Sequence, residues 1–155
     1  MLLAEAVLSD HILWLKMCIR DRLTTGQATG TSPKGFKGGS TPFGSVDEPI
    51  NTLLLMLSSG ATFVARTYAG DIDFTKHIMR KAIEHKGFSF VDIIQPCITF
   101  FDTREYYKER MYKLPDWHDA GNAVSAFQAI QSAENGKYPL GIFYNVTKPT
   151  FEENI

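Results

Sequence analysis

This chain of 155 residues lacks most of the compositional signals that betray a function. Neither sign of charge dominates: 16 Lys and Arg stand against 17 Asp and Glu, giving a net charge of −1. Nucleic acid and anionic membranes are therefore not expected as partners. Long hydrophobic runs are missing; the longest, Leu53 to Leu57, is far too short to span a bilayer. Glu5, Asp10 and Lys16 interrupt the apolar residues of the N-terminus, and no basic stretch precedes them, so no secretory signal is expected. With only two cysteines, Cys18 and Cys97, a disulfide framework is not expected and a reducing, cytoplasmic setting is, although a single disulfide stays open. None of the four histidines (His11, His77, His85, His118) has metal-ligand spacing beside a carboxylate, so all four read as surface or structural residues. The phosphate-binding patterns GxxxxGK[ST] and GxGxxG are absent too. What remains is an ordinary balance, 44% hydrophobic and 21% charged, in about one domain's worth of chain.

The distinctive feature is a polar, glycine-rich stretch, Leu23 to Ser45 (LTTGQATGTSPKGFKGGSTPFGS). Between Thr24 and Ser45 it holds six glycines, five threonines and three serines, with Lys34 and Lys37. A compact domain rarely keeps so long a segment without secondary structure unless the segment binds something or moves. Glycine lets the backbone approach a ligand closely, and exposed amides and hydroxyls suit an anion. The alternative is a flexible surface linker, whose composition is similar.

Residues 1–22 have a moderate helical periodicity through Leu3, Ala6, Val7, Leu13 and Trp14, which predicts a helix. The run Met17 to Arg22 (MCIRDR) resembles translated sequencing-adapter sequence, so an artefactual origin for residues 1–22 is one reading. Beyond the loop, Asp47 and Pro49 predict the start of an apolar, largely buried helix from Ile50 to Ser58, ended by Gly60. Ala61 to Arg66 reads as a strand. Asp71 or Asp73 then opens an amphipathic helix to about His85, with Phe74, Ile78, Ala82 and Ile83 as its inner face. Phe88 to Ile94 is almost wholly apolar and reads as a central, parallel strand. Strand, helix and strand make a right-handed crossover, and the segment Gln95 to Phe101 leaves the strand end where open α/β sheets bind ligands. Two further helices are expected at Thr103–Tyr112 and His118–Ala133, then a last strand at Gly141–Val146.

Several of these stretches, in order, match one family. They are Leu23-Thr24-Thr25-Gly26-Gln27, Ser32-Pro33, Ser40 to Ser45, Glu48-Pro49-Ile50-Asn51, Gly60 to Arg66, Glu84 to Gly87, Gln95 to Phe100, Tyr107 to Arg110, Pro139 to Tyr144 and Lys148 to Glu153. Together they resemble the β subunit of 2-oxoacid:ferredoxin oxidoreductases. The resemblance covers residues 23–155 and leaves 1–22 as a non-family segment. It implies a three-layer α/β fold with a mainly parallel sheet of the thiamine diphosphate-binding type, shortened at its N-terminal side. It also implies an enzyme that decarboxylates a 2-oxoacid of the 2-oxoglutarate or pyruvate class and passes the acyl group to coenzyme A. Two electrons leave through a [4Fe–4S] cluster to ferredoxin. Thiamine diphosphate, Mg²⁺ and the cluster are the implied cofactors, and an α subunit, ferredoxin, the 2-oxoacid and coenzyme A the implied partners.

Position by position, the resemblance puts Leu23 and Thr25 against the 2-oxoacid side chain. Thr24, Gly26 and Gln27 fall beside the diphosphate, and Cys97 at the last cluster-ligating cysteine. Members that prefer 2-oxoglutarate often carry lysine where Thr25 stands, and a threonine cannot ion-pair with a distal carboxylate. Three further cluster cysteines, the Gly-Asp-Gly turn that holds Mg²⁺ and the Asn-x-x-Ile-Tyr-Gly run have no counterpart here, and Gly30 replaces a proline. The chain is thus expected to be a C-terminal fragment, inactive alone. Two other readings stay open. One is a non-catalytic docking domain without cofactor, presenting the Tyr/Arg-rich helix TREYYKERMY. The other is an unrelated phosphate-binding α/β protein.

Overall fold

The computed structural model describes residues 28–32, 34–38, 41–96, 104–115, 118–131, 136–149 and 153, together with the backbone of three two-residue strands before residue 16. Those strands are β1 (Val7–Leu8), β2 (His11–Ile12) and β3 (Trp14–Leu15). Then follow α1 (Thr52–Ser58), β4 (Phe63–Tyr68), α2 (Ile72–Glu84), β5 (Ser89–Ile94), α3 (Arg104–Lys108), β6 (Met111–Lys113), α4 (Ala123–Gln131) and β7 (Tyr138–Asn145). Among the described residues no helix is long and apolar enough to cross a membrane.

Five strands form one sheet in the order β3-β5-β4-β7-β6. Strand β5 pairs in parallel with β4 and β3, and β6 in parallel with β7; only β4 and β7 run antiparallel. The sheet is therefore mixed but mainly parallel, as the α/β reading expects. Its faces are buried by different helices. Leu53 of α1 and Ala126 and Ile130 of α4 cover Val64, Phe90 and Phe143. Ile78 and Ala82 of α2 cover Phe63, Ala65, Val91 and Ile93 on the other face. This alternation along β4 and β5 is the period-2 consequence of strand geometry, with both faces apolar because both are covered.

A β-bulge between Val64 and Ala65 shifts the β4–β7 register from Tyr144 to Ile142 and lets neighbouring Phe143 and Tyr144 both pack on the α1/α4 side. The Phe143 carbonyl accepts a hydrogen bond from His118 Nε2 at 3.0 Å. At the other side of the sheet, His85 Nε2 lies 2.8 Å from the hydroxyl of Thr62. Both histidines thus serve the scaffold.

Several expectations need correction, among them the helix expected from His118, which starts only at Ala123. Segments expected to be helical within residues 1–22 form strands, and β3 lies along the outer edge of β5. An open parallel strand offers a row of unpaired amides and carbonyls, and that pairing overrides a moderate helical period. Helix α1 starts at Thr52 rather than Ile50, capped by Asn51, whose side chain accepts from the Leu54 N–H at 3.2 Å. Asp47 and Pro49 remain in the approach to the helix, with the Ile50 N–H held by the Gly30 carbonyl at 2.7 Å. The helix expected to run through Tyr112 ends at Lys108, and Met111–Lys113 instead supplies the edge strand beside β7. Ile83 points outward, 53% exposed.

Asp71 caps α2 as expected, its carboxylate accepting from the Phe74 N–H at 3.1 Å. That N–H, and secondarily Lys113, hold the Asp71 carboxyl below the usual aspartate range against the opposing effect of burial. A carboxyl lowered on folding stabilises above its unfolded value, near pH 4, and loses this as pH falls through its folded value. Asp71→Ala is expected to cost about 1 kcal/mol at pH 7. The gap between the two proteins should close toward pH 3, as urea denaturation at both pH values would show.

Candidate functional site

The described part of the glycine-rich stretch is a folded loop. At its start the Thr29 N–H donates to Ser32 Oγ at 2.8 Å, the Thr31 N–H to Thr29 Oγ1 at 3.3 Å, and the Ser32 N–H to the Thr29 carbonyl at 3.0 Å. These hydroxyls shape a tight turn, and Ser32 is buried. The chain then folds back on itself. The Gly35 N–H donates to the Ser45 carbonyl at 2.8 Å, the Ser45 N–H to the Phe36 carbonyl at 2.9 Å, and the Thr41 N–H to the Gly38 carbonyl at 3.0 Å. Gly35 and Gly44 meet where the two arms cross, both with positive φ (+79° and +99°). A Cβ on Gly44 would stand 3.1 Å from the Gly35 carbonyl oxygen. Only glycine fits both requirements. An exposed ion pair between Lys34 and Glu48 ties the arm to the approach of α1, and Glu48 raises the Lys34 ammonium above the usual lysine range, first by its hydrogen bond and then by its charge. Being exposed, the pair is screened by salt.

The second part of the candidate site is the carboxyl end of the parallel pair β4 and β5. Arg66 and Asp92 are direct partners in that register. Arg66 Nε donates to Asp92 Oδ2 at 2.9 Å, and both side chains are almost fully buried. On the other flank, Arg66 faces Gly141 of β7, whose missing side chain leaves room that Leu114 fills. Two residues past the end of β5, Gln95 and Pro96 lead directly to Cys97. Open α/β sheets bind ligands at this end.

The residues singled out in the sequence flank these segments along the chain. Leu23, Thr24, Thr25, Gly26 and Gln27 immediately precede the turn at Ala28–Ser32, and Cys97 follows Pro96; all six lie outside the described residues. Among the described residues no three His, Cys, Asp or Glu gather as a metal site. Within the described loop the Gly35, Gly38 and Gly44 amides donate to loop carbonyls and Lys34 pairs with Glu48, so these groups hold the loop's shape, and its suitability for an anionic group rests on composition. Sequence reasoning missed the Arg66–Asp92 pair, whose only trace is one charged residue in each of two apolar strands. The helix expected at Thr103–Tyr112, observed as α3, proves partly internal. Tyr107 packs with Ile94 and Leu140, while Tyr106 stays partly exposed beneath the Arg110 guanidinium, 4.2 Å from its ring centre.

Comparison with known proteins agrees with this architecture. Residues 97–155 match the family described as the C terminal of the pyruvate ferredoxin oxidoreductase beta subunit. The 2-oxoacid:ferredoxin oxidoreductase subunit beta of Sulfolobus sp is 40% identical over 146 residues, covering 86% of this chain and 48% of the relative. The 2-oxoglutarate synthase subunit KorB of Methanocaldococcus jannaschii is 29% identical over 146 residues, covering 90% of this chain and 53% of the relative. Among solved structures, the 2-oxoglutarate:ferredoxin oxidoreductase from Magnetococcus marinus, with 2-oxoglutarate, coenzyme A and succinyl-CoA bound, superimposes with a TM-score of 0.80 at 34% identity. That match covers 84% of this chain and 45% of the other. The chain spans about half the length of the curated relatives it matches. By sequence and by fold, it belongs to the β subunits of 2-oxoacid:ferredoxin oxidoreductases and corresponds to the C-terminal part of that subunit.

Proposed function

We propose that this chain forms part of the thiamine diphosphate-binding subunit of an enzyme that oxidatively decarboxylates a 2-oxoacid, with coenzyme A as acyl acceptor and ferredoxin as electron acceptor. The observation that carries this reading is the match of residues 23–27, directly ahead of the folded loop that begins at Ala28, to the family's diphosphate stretch. In this reading Thr24 and Gln27 hydrogen-bond the cofactor's polar groups, and Gly26 lets the backbone pass close. Leu23 and Thr25 orient the 2-oxoacid through its side chain. Bound thiamine diphosphate supplies a carbanion-stabilising centre for decarboxylation, and the protein supplies binding and orientation. Cys97 offers one thiolate to a [4Fe–4S] cluster, at a strand end from which electrons can leave the site. Mg²⁺ would accompany the diphosphate, and an α subunit would complete the site. The neutral Thr25 hydroxyl favours a 2-oxoacid without a distal charge over 2-oxoglutarate, since it cannot balance a second carboxylate.

The test joins residues 23–155 to the N-terminal half of the Sulfolobus relative and combines the product with that relative's partner subunit. Viologen reduction is then followed with pyruvate or 2-oxoglutarate, coenzyme A and thiamine diphosphate. Coenzyme A-dependent reduction is expected, with pyruvate preferred and the preference moving toward 2-oxoglutarate in Thr25→Lys. The 155-residue chain alone should be silent. Turnover by the chain alone, or none by the completed enzyme, would contradict the reading.

A further inference from the structure

The two helices on one face of the sheet are unlike the third. Helix α2 is amphipathic, with Lys76, Arg80, Lys81 and Glu84 on its solvent side. Neither α1 (TLLLMLS) nor α4 (AVSAFQAIQ) carries a single charge. Their inner faces bury Leu53, Ala126 and Ile130. Their outer faces leave Leu55, Val124 and Phe127 between 44% and 63% exposed. Between them runs a groove of about 540 Å³ walled by Leu54, Leu55, Leu57, Ala123, Val124 and Phe127. Helix α4 keeps Gln128 and Gln131 exposed, so the apolar exterior is concentrated where α4 meets α1. An apolar surface of this kind marks a contact rather than a solvated face.

We propose that this groove seats an apolar segment from the N-terminal half of the full β subunit. The inference rests on the chain's being the C-terminal part of that subunit. Relatives devote about half of their length to sequence outside the match, 52% in the Sulfolobus case (100% minus the 48% covered). The C-terminal family unit begins at residue 97, so α4 lies inside it and α1 before it, and the groove straddles the boundary between them. The walls contain no charge with which a reversibly bound partner would be steered. They resemble a core cut open, the character of permanent contacts. A segment of the same polypeptide is always present to meet that need.

The test uses Val124→Cys in the groove and Ile83→Cys on the outer face of α2. Each is placed in the 155-residue chain and in the full-length chimera with the Sulfolobus N-terminal half ahead of Leu23. Maleimide labelling is read peptide by peptide, and light scattering reports oligomeric state. In a monomeric chimera, Val124→Cys should label about tenfold more slowly than in the chain, because a covered thiol reacts only when its surface opens. Ile83→Cys should label equally in both. Equal rates at Val124→Cys would overturn the proposal. So would slowing that appears only on dimerisation, which assigns the groove to a second copy, or only with the partner subunit added. If the chimera does not fold, the N-terminal half is added in trans, and an unchanged Val124→Cys rate then counts against the proposal. Labelling needs no cofactor, so failure to bind thiamine diphosphate leaves this result readable on its own.

Discussion

Asp92→Ala is expected to destabilise the fold by about 3–5 kcal/mol. The carboxylate is wholly inaccessible and its partner Arg66 nearly so. A guanidinium cannot shed its charge, so removing Asp92 takes a carboxylate away from a cation buried in the sheet. Such a loss is a large fraction of the roughly 5–15 kcal/mol that holds a domain together. The pair need not itself be strongly stabilising, because burying two ions costs much of what their attraction returns. Arg66→Met combined with Asp92→Leu should therefore recover most of the loss. Urea denaturation of the single and double variants distinguishes the cases. A single variant within about 1 kcal/mol of the parent would mean that water reaches the pair and that the strand ends are looser than described.

Phe143→Ala should cost about 3–5 kcal/mol, the range for a large aromatic removed from a core. Phe143 is fully buried against Val64, Leu53, Ala126 and Ile130. Its ring lies in the core that β7, α1 and α4 share, so its loss opens a cavity there. Phe143→Leu should cost much less, because most of the volume remains. The two variants separate the packing of the ring from the backbone role of the bulge, in which the Phe143 carbonyl accepts from His118 in either variant. Thermal or urea unfolding reads both. Equal, small losses would show that the bulge, rather than the ring, organises this junction.

The crossover β4–α2–β5 was legible because its signals are local. Asp71 sits one residue ahead of the amphipathic period, Phe74, Ile78 and Ala82 repeat at helical spacing, and the run FVDII of β5 admits no solvated face. Signals that depend on a distant partner were not legible. Nothing in GIFYNV announces that it runs antiparallel to β4, and nothing in MYK announces a strand until β7 offers its edge. Asp92 is one carboxylate in an apolar run, and its meaning appears only when the register sets Arg66 beside it across 26 residues of sequence. The apolar exterior of α1 was read as burial, and within this chain Leu55 and its neighbours line a groove instead. For the candidate site, loop composition left an anion-binding role and a flexible linker both open. The identity of the anion, and the parts assigned to Thr24, Gln27 and Cys97, came only through the family resemblance, since a lone cysteine after a strand has no chemistry of its own that spacing could reveal.

Calorimetric titration of thiamine diphosphate with Mg²⁺ into the completed subunit tests the central claim most directly. The parent should bind it in preference to adenosine diphosphate, and Gln27→Ala should weaken binding by about tenfold, the loss of roughly one hydrogen bond. Equal affinity for the two diphosphates, or an affinity untouched by Gln27→Ala and Thr24→Ala together, would contradict the assignment of this loop to the cofactor.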